Sequence, residues 1–180
     1  KLITGYPEGR RLWLRMTWRD GAGVTLREDG AYGPLDVVID GEPRVVETLL
    51  DLHGEHTHAF MSHYGMTREW AATLLSLGWP SALALEYDRV TGQPGMTLGE
   101  LAAEPPGSAH ETLHFVLNDT VLDDTRIPPY GLRYDDARAR SILPVPPTQY
   151  GDPGPGGVYE HQARIALAPP PGAVEADIET

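Results

Sequence analysis

The chain has 180 residues, of which 41% are hydrophobic, a formal net charge of −12 at pH 7, and no cysteine. This length suits one domain, residues 1–180, with its own hydrophobic core, whereas the acidic charge argues against binding to nucleic acid or to an anionic membrane surface. No apolar run approaches the roughly 20 residues that span a bilayer, so no membrane span is expected. Without cysteine the chain can hold no disulfide, no thiolate metal site and no covalently attached haem.

Alternation of apolar and polar side chains, which is the period of a half-buried strand, recurs along the sequence. It is clearest at residues 12–18, where Leu12, Leu14, Met16 and Trp18 would share one face. A turn at residues 20–23 would return the chain through residues 23–26 as a hairpin, and Asp40-Gly41 marks another turn. The same pattern predicts further strands at residues 45–52 (Val46, Leu50 and Leu52 inward), 81–87, 112–117, 158–167 and 174–180.

Capping residues predict the few helices. Thr67 would cap a helix that ends at Gly78, and Thr97 with Glu100 forms a capping box for a short helix to about residue 103. Residues 134–141 favour a third helical segment.

These elements together predict a mainly β chain, an antiparallel β-sandwich with inserted short helices and long Pro/Gly-rich loops. The 17 prolines and 20 glycines fit many turns. The strand pattern at residues 174–180 is still running where the sequence stops, so we interpret the sequence as an incomplete part of a longer chain. The alternative is an ordinary C-terminal edge strand.

Residues 124–131 predict a stiff corner. Pro128 and Pro129 fix their own φ angles and hold the preceding residue extended, and Gly131 can supply a positive φ. Arg126 stands two residues after Asp124, its natural ion-pair partner. This structural motif contains no nucleophile and no general base.

The corner belongs to an ordered series of motifs. Residues 4–14 read Thr-Gly-Tyr-Pro-Glu-Gly-Arg-Arg-Leu-Trp-Leu, residues 114–131 read His-Phe-Val-Leu-Asn-Asp-Thr-Val-Leu-Asp-Asp-Thr-Arg-Ile-Pro-Pro-Tyr-Gly, and related motifs follow at residues 134–138 and 144–159. The series resembles the β-rich C-terminal region of the multihaem c-type cytochromes of bacterial extracytoplasmic electron transfer. Thr125 departs from the family, which commonly has asparagine there, and the chain has no CxxCH motif.

The resemblance implies a non-catalytic accessory domain, periplasmic or extracellular, that packs on a haem-bearing region and supports electron transfer to redox partner proteins. Haem c would then lie in the rest of the protein, N-terminal to this chain. Arg10 and Arg11, close to that junction, could contact haem propionates, because a guanidinium matches carboxylate geometry. The alternative is that both are exposed arginines at the end of a strand.

The densest set of candidate metal ligands is His53, His56, His58 and His63. Imidazole suits zinc, copper or iron, and with Glu55 this segment could form a metal-dependent hydrolase. The alternative is a solvated histidine-rich loop.

An oxygen-rich run, formed by Asn118, Asp119, Asp123 and Asp124, could hold calcium, although its spacing does not match an EF-hand loop. A structural ion pair from Asp124 to Arg126 is the alternative. His110, Glu111 and His114 could suggest acid–base chemistry, but no nucleophile accompanies them.

A second class of function is a stand-alone carbohydrate- or protein-binding module. Its sugar platform would use the tryptophans Trp13, Trp18, Trp70 and Trp79, although aromatic residues at such spacings also form cores. The motifs of serine hydrolases, P-loop proteins and dinucleotide-binding proteins are all absent from the sequence, so no enzyme is predicted.

Overall fold

The computed structural model describes residues 11–179, and over this range the chain is mainly β with antiparallel strand pairs, as predicted. The strands are β1 (Leu12–Arg19), β2 (Thr25–Asp29), β3 (Tyr32–Ile39), β4 (Glu42–Leu49), β5 (His58–Phe60), β6 (Ser62–Thr67), β7 (Ala109–Glu111), β8 (Thr120–Asp124) and β9 (Glu175–Glu179). The helices are α1 (Arg68–Ser76), α2 (Leu98–Ala103) and α3 (Tyr134–Ala139), with a 3-10 helix at Pro147–Tyr150.

The strands form three separate sheets within the described range. β1 pairs with β2 along one edge and with β5 and β9 along the other. β3 and β4 pair only with each other, and β6 lies between β7 and β8. The last sheet positions the predicted corner at residues 124–131, because this corner begins where β8 ends.

The first hairpin forms as its sequence predicts. The backbone N–H of Gly23 donates to the Asp20 carbonyl at 3.0 Å, and the Asp20 side chain accepts from the N–H groups of Ala22 and Val24. The returning strand β2 starts at Thr25, slightly later than expected, and continues to Asp29. Met16 and Trp18 are buried on β1, whereas Leu12 is exposed.

Both predicted helix caps are present. Thr67 Oγ1 accepts from the N–H of Trp70 at 3.2 Å, which satisfies one free donor of the first turn of α1. At α2, the N–H of Glu100 donates to Thr97 Oγ1 at 3.3 Å, and the Glu100 carboxylate accepts from the N–H of Thr97 at 2.8 Å. These are the two halves of a capping box. The third helix, α3, also forms where it is predicted.

Two clusters of buried side chains stabilise the fold over residues 11–179. The larger cluster packs α1 and α2 against β6 and consists of Met66, Ala71, Leu74, Leu85, Leu98 and Leu101. The smaller cluster lies between α3, the 3-10 helix and the segment after it, and consists of Ala137, Tyr150 and Tyr159.

Three strand predictions are wrong, because alternation shows which side chains are buried but not whether the backbone has a partner. Residues 81–87 contribute only isolated bridges, Ala84 to Thr97 and Tyr87 to Pro94. Residues 112–117 are the loop that crosses from β7 to β8, and Leu113 is 62% exposed there. Residues 158–167 form no strand, although Tyr159 is buried.

The inward set of the fourth strand is also corrected. β4 covers Glu42–Leu49, and its buried residue is Leu49 at 2% exposure, whereas Leu50 is 41% exposed. The strand ends one residue before Leu50, whose N–H bonds to the Ala31 carbonyl. Among residues 11–179, no helix combines the length and apolar character needed to cross a membrane.

Candidate functional site

The corner at the end of β8 is built on a paired acid and base. The Asp124 side chain is only 8% exposed. Arg126 Nε donates to Asp124 Oδ1 at 2.8 Å, a second guanidinium nitrogen donates to Oδ2, and the Arg126 backbone N–H donates to Oδ1 at 3.2 Å. The hydrogen bond to Asp124 raises the pKa of Arg126 above its ordinary value, so the guanidinium stays charged. Such two-pronged pairing fixes direction as well as charge.

Thr125, the residue between Asp124 and Arg126, joins the corner to the segment of residues 59–61. Thr125 Oγ1 accepts from the N–H of Met61 at 3.0 Å and donates to the Ala59 carbonyl at 3.1 Å. The hydroxyl of Tyr150 donates to the Thr125 carbonyl, and Gln149 Nε2 donates to the Asp124 carbonyl at 2.6 Å. The Thr125 hydroxyl therefore both donates and accepts a hydrogen bond, and its partners are backbone groups on the two sides of residue 60.

The double proline ends in a tight turn. Pro128 is buried, and the N–H of Leu132 donates to the Pro129 carbonyl at 3.1 Å. Gly131 has a φ of 76°, which an L side chain adopts only with strain, as its sequence position predicts. The turn presents Tyr130, which is 86% exposed and meets the His161 ring edge-on at a centroid distance of 5.0 Å.

Of the two arginines predicted to contact haem propionates, Arg10 lies outside the described residues. Arg11 is exposed immediately before β1. Its charge opposes the rise in the pKa of His63, which the hydrogen bond to Glu111 dominates.

The four histidines predicted as metal ligands are distributed over a loop and two strands. His53 is exposed in the loop before β5, and His58 lies on β5 opposite Leu14. His56 lines a cavity of about 320 Å³, whose walls also include Arg27, Asp29, Asp51, Glu55 and Thr57. His63 lies on β6.

Among residues 11–179, no group of three or more His, Asp or Glu side chains is arranged to hold a metal ion. Zinc binding and metal-dependent hydrolysis at this segment therefore stay predictions. The oxygen-rich run is divided between local contacts: Asp119 accepts from the backbone N–H and the hydroxyl of Thr67, and Asp124 pairs with Arg126. Calcium binding likewise stays a prediction.

One face of the β7-β6-β8 sheet carries a second charged group. His63 Nδ1 lies 2.8 Å from Glu111 Oε1, and Asp123 is the partner of His63 in the strand register. The hydrogen bond raises the pKa of His63 and lowers the pKa of Glu111, whereas burial raises the pKa of Asp123. A Cβ on Gly65, which lies opposite Glu111, would sit 2.5 Å from the His110 carbonyl oxygen, so only glycine fits between the strands here.

The structure does not bring His110, Glu111 and His114 together as an acid–base group. His110 Nε2 lies 3.0 Å from Glu86, and His114 Nε2 lies 2.8 Å from the Ala84 carbonyl. Sequence reasoning missed the Glu111–His63 pair, because 48 residues separate its members. It also missed Tyr150, and no local pattern connects this residue to Thr125.

The tryptophans proposed as a sugar platform lie in different surroundings. Trp18 is buried and its Nε1 donates to Asp29 at 2.6 Å, and Trp70 Nε1 donates to the Leu117 carbonyl at 2.9 Å. Trp79 is 41% exposed after α1. Trp13 stacks on Tyr32 with ring centroids 5.6 Å apart.

Comparison of the chain with protein-family models, with curated proteins and with solved structures gives no match. The resemblance to multihaem cytochromes therefore stays a prediction carried by the motifs themselves.

Proposed function

We propose that this chain is a non-catalytic accessory domain of a multihaem c-type cytochrome. It packs on the haem-bearing region of the same protein, outside the cytoplasm, and supports electron transfer. We further propose that its antiparallel sheets act as one sandwich-like domain over residues 1–180. Haem c belongs to the rest of the protein, since the chain has no cysteine to attach it.

The observation that carries the proposal is a contrast within residues 114–131, the block that carries the resemblance, between a buried ion pair and exposed apolar side chains. Its buried acid is paired, Asp124 with Arg126, whereas large apolar side chains of the same block face solvent. Val116 is 77% exposed and Tyr130 is 86% exposed. A block that exposes large apolar side chains before and within a stiff corner is suited to contact with another folded region.

The position of Arg11 also supports the proposal. The residue is exposed immediately before β1, close in sequence to the N-terminal junction that the resemblance implies. An arginine there is suited to pair with haem propionates, and burial and nearby charge are the means by which a protein adjusts haem potential.

The intact protein provides the test. The polypeptide that contains this chain, isolated from its native source, is expected to show a Soret band and reduced c-type absorption peaks. Its complete sequence is expected to contain CxxCH motifs before residue 1. An intact gene product with no CxxCH motif would overturn the proposal.

The docking role of the corner has its own test in that intact protein. Tyr130→Ser is expected to shift the haem reduction potentials, because a lost apolar contact admits water to the haem surroundings. Leu77→Ser is the matched control, since Leu77 is 68% exposed at the end of α1, outside the block. Equal potentials in both variants and the unmodified protein would exclude contact through Tyr130.

A second candidate function is carbohydrate binding, which the Trp13–Tyr32 stack favours. Tyr32 is 44% exposed, and such rings can stack on a sugar face. Glycan-array binding that Tyr32→Ala abolishes would support this function. Retention of the same binding by Tyr32→Ala would argue against it.

A further inference from the structure

The hairpin of β3 and β4 is the longest strand pair in the described chain and stands apart from the other sheets. Its eight residue pairs run from Tyr32–Leu49 to Ile39–Glu42, and neither strand pairs with a third described strand. A two-stranded sheet is marginal unless one face is covered. One face of this hairpin is therefore expected to be anchored, and the other is free to serve another purpose.

The anchored face is fastened by local contacts. Val37 is 6% exposed. At the strand edges, in the plane of the sheet, the N–H of Val38 donates to the Val90 carbonyl at 2.8 Å, and a guanidinium nitrogen of Arg89 donates to the Leu49 carbonyl at 3.0 Å. The burial of Val37 therefore marks the inward face, and the edge contacts hold the hairpin in place beside residues 89 and 90.

The opposite face combines apolar side chains with acids that have no ion-pair partner within the described part of the chain. By strand alternation this face begins with Tyr32 and Leu49, where Tyr32 stacks on Trp13 and Leu49 is buried. Its uncovered part is formed by Pro34, Asp36, Val38, Pro43, Val45 and Glu47. Val45 is 66% exposed and Val38 is 38% exposed. The register sets Asp36 opposite Val45 and Glu47 opposite Pro34, and neither carboxylate forms an ion pair with any residue between 11 and 179.

The charge pattern selects the kind of occupant. A second copy of this chain would bring another acidic surface, in a protein of formal net charge −12, so self-association through this face is unfavourable. A surface with lysines or arginines around an apolar centre would neutralise Asp36 and Glu47 while it covers Val45. Complementary charge of this kind speeds encounter and selects partners.

We propose that the outward face of the β3–β4 hairpin is the docking surface for a small basic redox protein with a lysine-rimmed apolar contact patch. This inference rests on the proposed function, because it names the partner that would exchange electrons with the haem-bearing protein. Such electron-transfer encounters use small interfaces that form and separate rapidly.

The test uses the intact haem protein and a lysine-rich soluble cytochrome c as the probe, with binding measured by calorimetry. Binding is expected at low ionic strength and is expected to weaken as salt is added. Glu47→Lys should weaken it by about tenfold, which corresponds to the loss of one favourable charge contact and the gain of a repulsive one. Val45→Ser should weaken it severalfold without changing the salt dependence.

Two control variants separate this surface from the general charge of the protein. Glu104→Lys makes the same charge change at an exposed position after α2, and Val174→Ser removes an apolar side chain that is 73% exposed before β9. Both should bind the probe as the unmodified protein does. Absence of probe binding, binding indifferent to salt, or equal weakening by Glu104→Lys and Glu47→Lys would each overturn the inference.

Failure of this inference is distinguishable from failure of the proposed function. A gene product without CxxCH motifs removes the proposed function and this inference with it. A haem protein that binds the probe equally well with and without Glu47→Lys keeps the proposed function and removes only the docking surface.

Discussion

Two neighbouring acids of β8, Asp123 and Asp124, lie on opposite faces of the same sheet and behave differently. Asp124 is almost fully buried, and Arg126 holds both of its carboxylate oxygens. Asp123 lies across from His63, and burial raises its pKa, which means that its charged form is disfavoured in the fold. The difference teaches that two neighbouring carboxylates of one strand can meet opposite surroundings, because matched donors offset the cost of burial at Asp124 and no such set of donors meets Asp123 among the described residues.

The most direct way to break this comparison is a pair of isosteric variants. Asp124→Asn is expected to cost about 2 kcal/mol of unfolding free energy, because the guanidinium loses charged hydrogen bonds, with some relief since Arg126 is partly exposed. Asp123→Asn is expected to stay within about 0.5 kcal/mol. Urea unfolding measures both. Equal costs would show that the two faces do not differ as described.

The turn beyond Asp124 gives the next largest effect. Gly131→Ala is expected to cost about 1–2 kcal/mol, because its φ of 76° is strained for alanine. Gly21→Ala is a matched control: an added Cβ has no atom within 4 Å at either glycine, and only Gly131 has a positive φ. Thermal unfolding of the two variants isolates the backbone term. A control that loses as much stability as Gly131→Ala would contradict it.

A variant of Tyr150 that removes only its hydroxyl sharpens the comparison. Tyr150→Phe is expected to cost about 1 kcal/mol, the contribution of its hydrogen bond to the Thr125 carbonyl. Burial raises the pKa of Tyr150 to about 12, from an ordinary value of 10.0, so its contribution is complete below pH 10 and is lost as pH rises through 12. Alkaline unfolding should therefore be shallower in Tyr150→Phe than in Tyr130→Phe, whose ring is exposed. Identical alkaline profiles would count against this assignment.

The His63–Glu111 pair, on the face of the β7-β6-β8 sheet that carries Asp123, should give the smallest effect. His63 has a raised pKa and contributes stability that is complete below 6.5 and lost at higher pH, whereas Glu111 has a lowered pKa and contributes stability that is complete above 4.5 and lost at lower pH. The pair is thus strongest between these values. Glu111→Gln should cost about 0.5 kcal/mol there, since Glu111 is nearly half exposed.

Urea unfolding in the presence of a chelator, at one pH between 4.5 and 6.5 and at one above 6.5, checks this prediction. Glu86→Gln, which alters the other histidine–glutamate contact of β7, is the control. A loss in Glu111→Gln that does not vary with pH would mean that the pair does not titrate as described.

Local signals in the sequence were sufficient wherever the interaction itself is local. The caps at Thr67 and Thr97, the turn at Gly131 and the Asp124–Arg126 pair each involve residues at most three positions apart or a single backbone angle. Each of these could therefore be predicted.

Features that depend on distant partners could not be predicted in the same way. Residues 112–117 alternate like a strand, but a strand needs a neighbour, and the loop crosses from β7 to β8 instead. His63 was considered as a metal ligand, and its contact with Glu111 depends on how β6 and β7 align. Tyr150 reaches the corner from the end of the 3-10 helix, 25 residues along the chain from Thr125.

The acidic strand β9 has a consequence for the behaviour of the protein in concentrated solution. Glu175, Asp177 and Glu179 alternate along it, and two of them already bond to β1, Asp177 to Arg19 and Glu179 to Arg15 at 3.6 Å. Within residues 11–179 its other edge has no strand partner. Exposed edges invite strand addition between molecules, and fixed negative charge along an edge opposes it. The same acids that fasten β9 to its sheet therefore protect the protein from edge-to-edge aggregation.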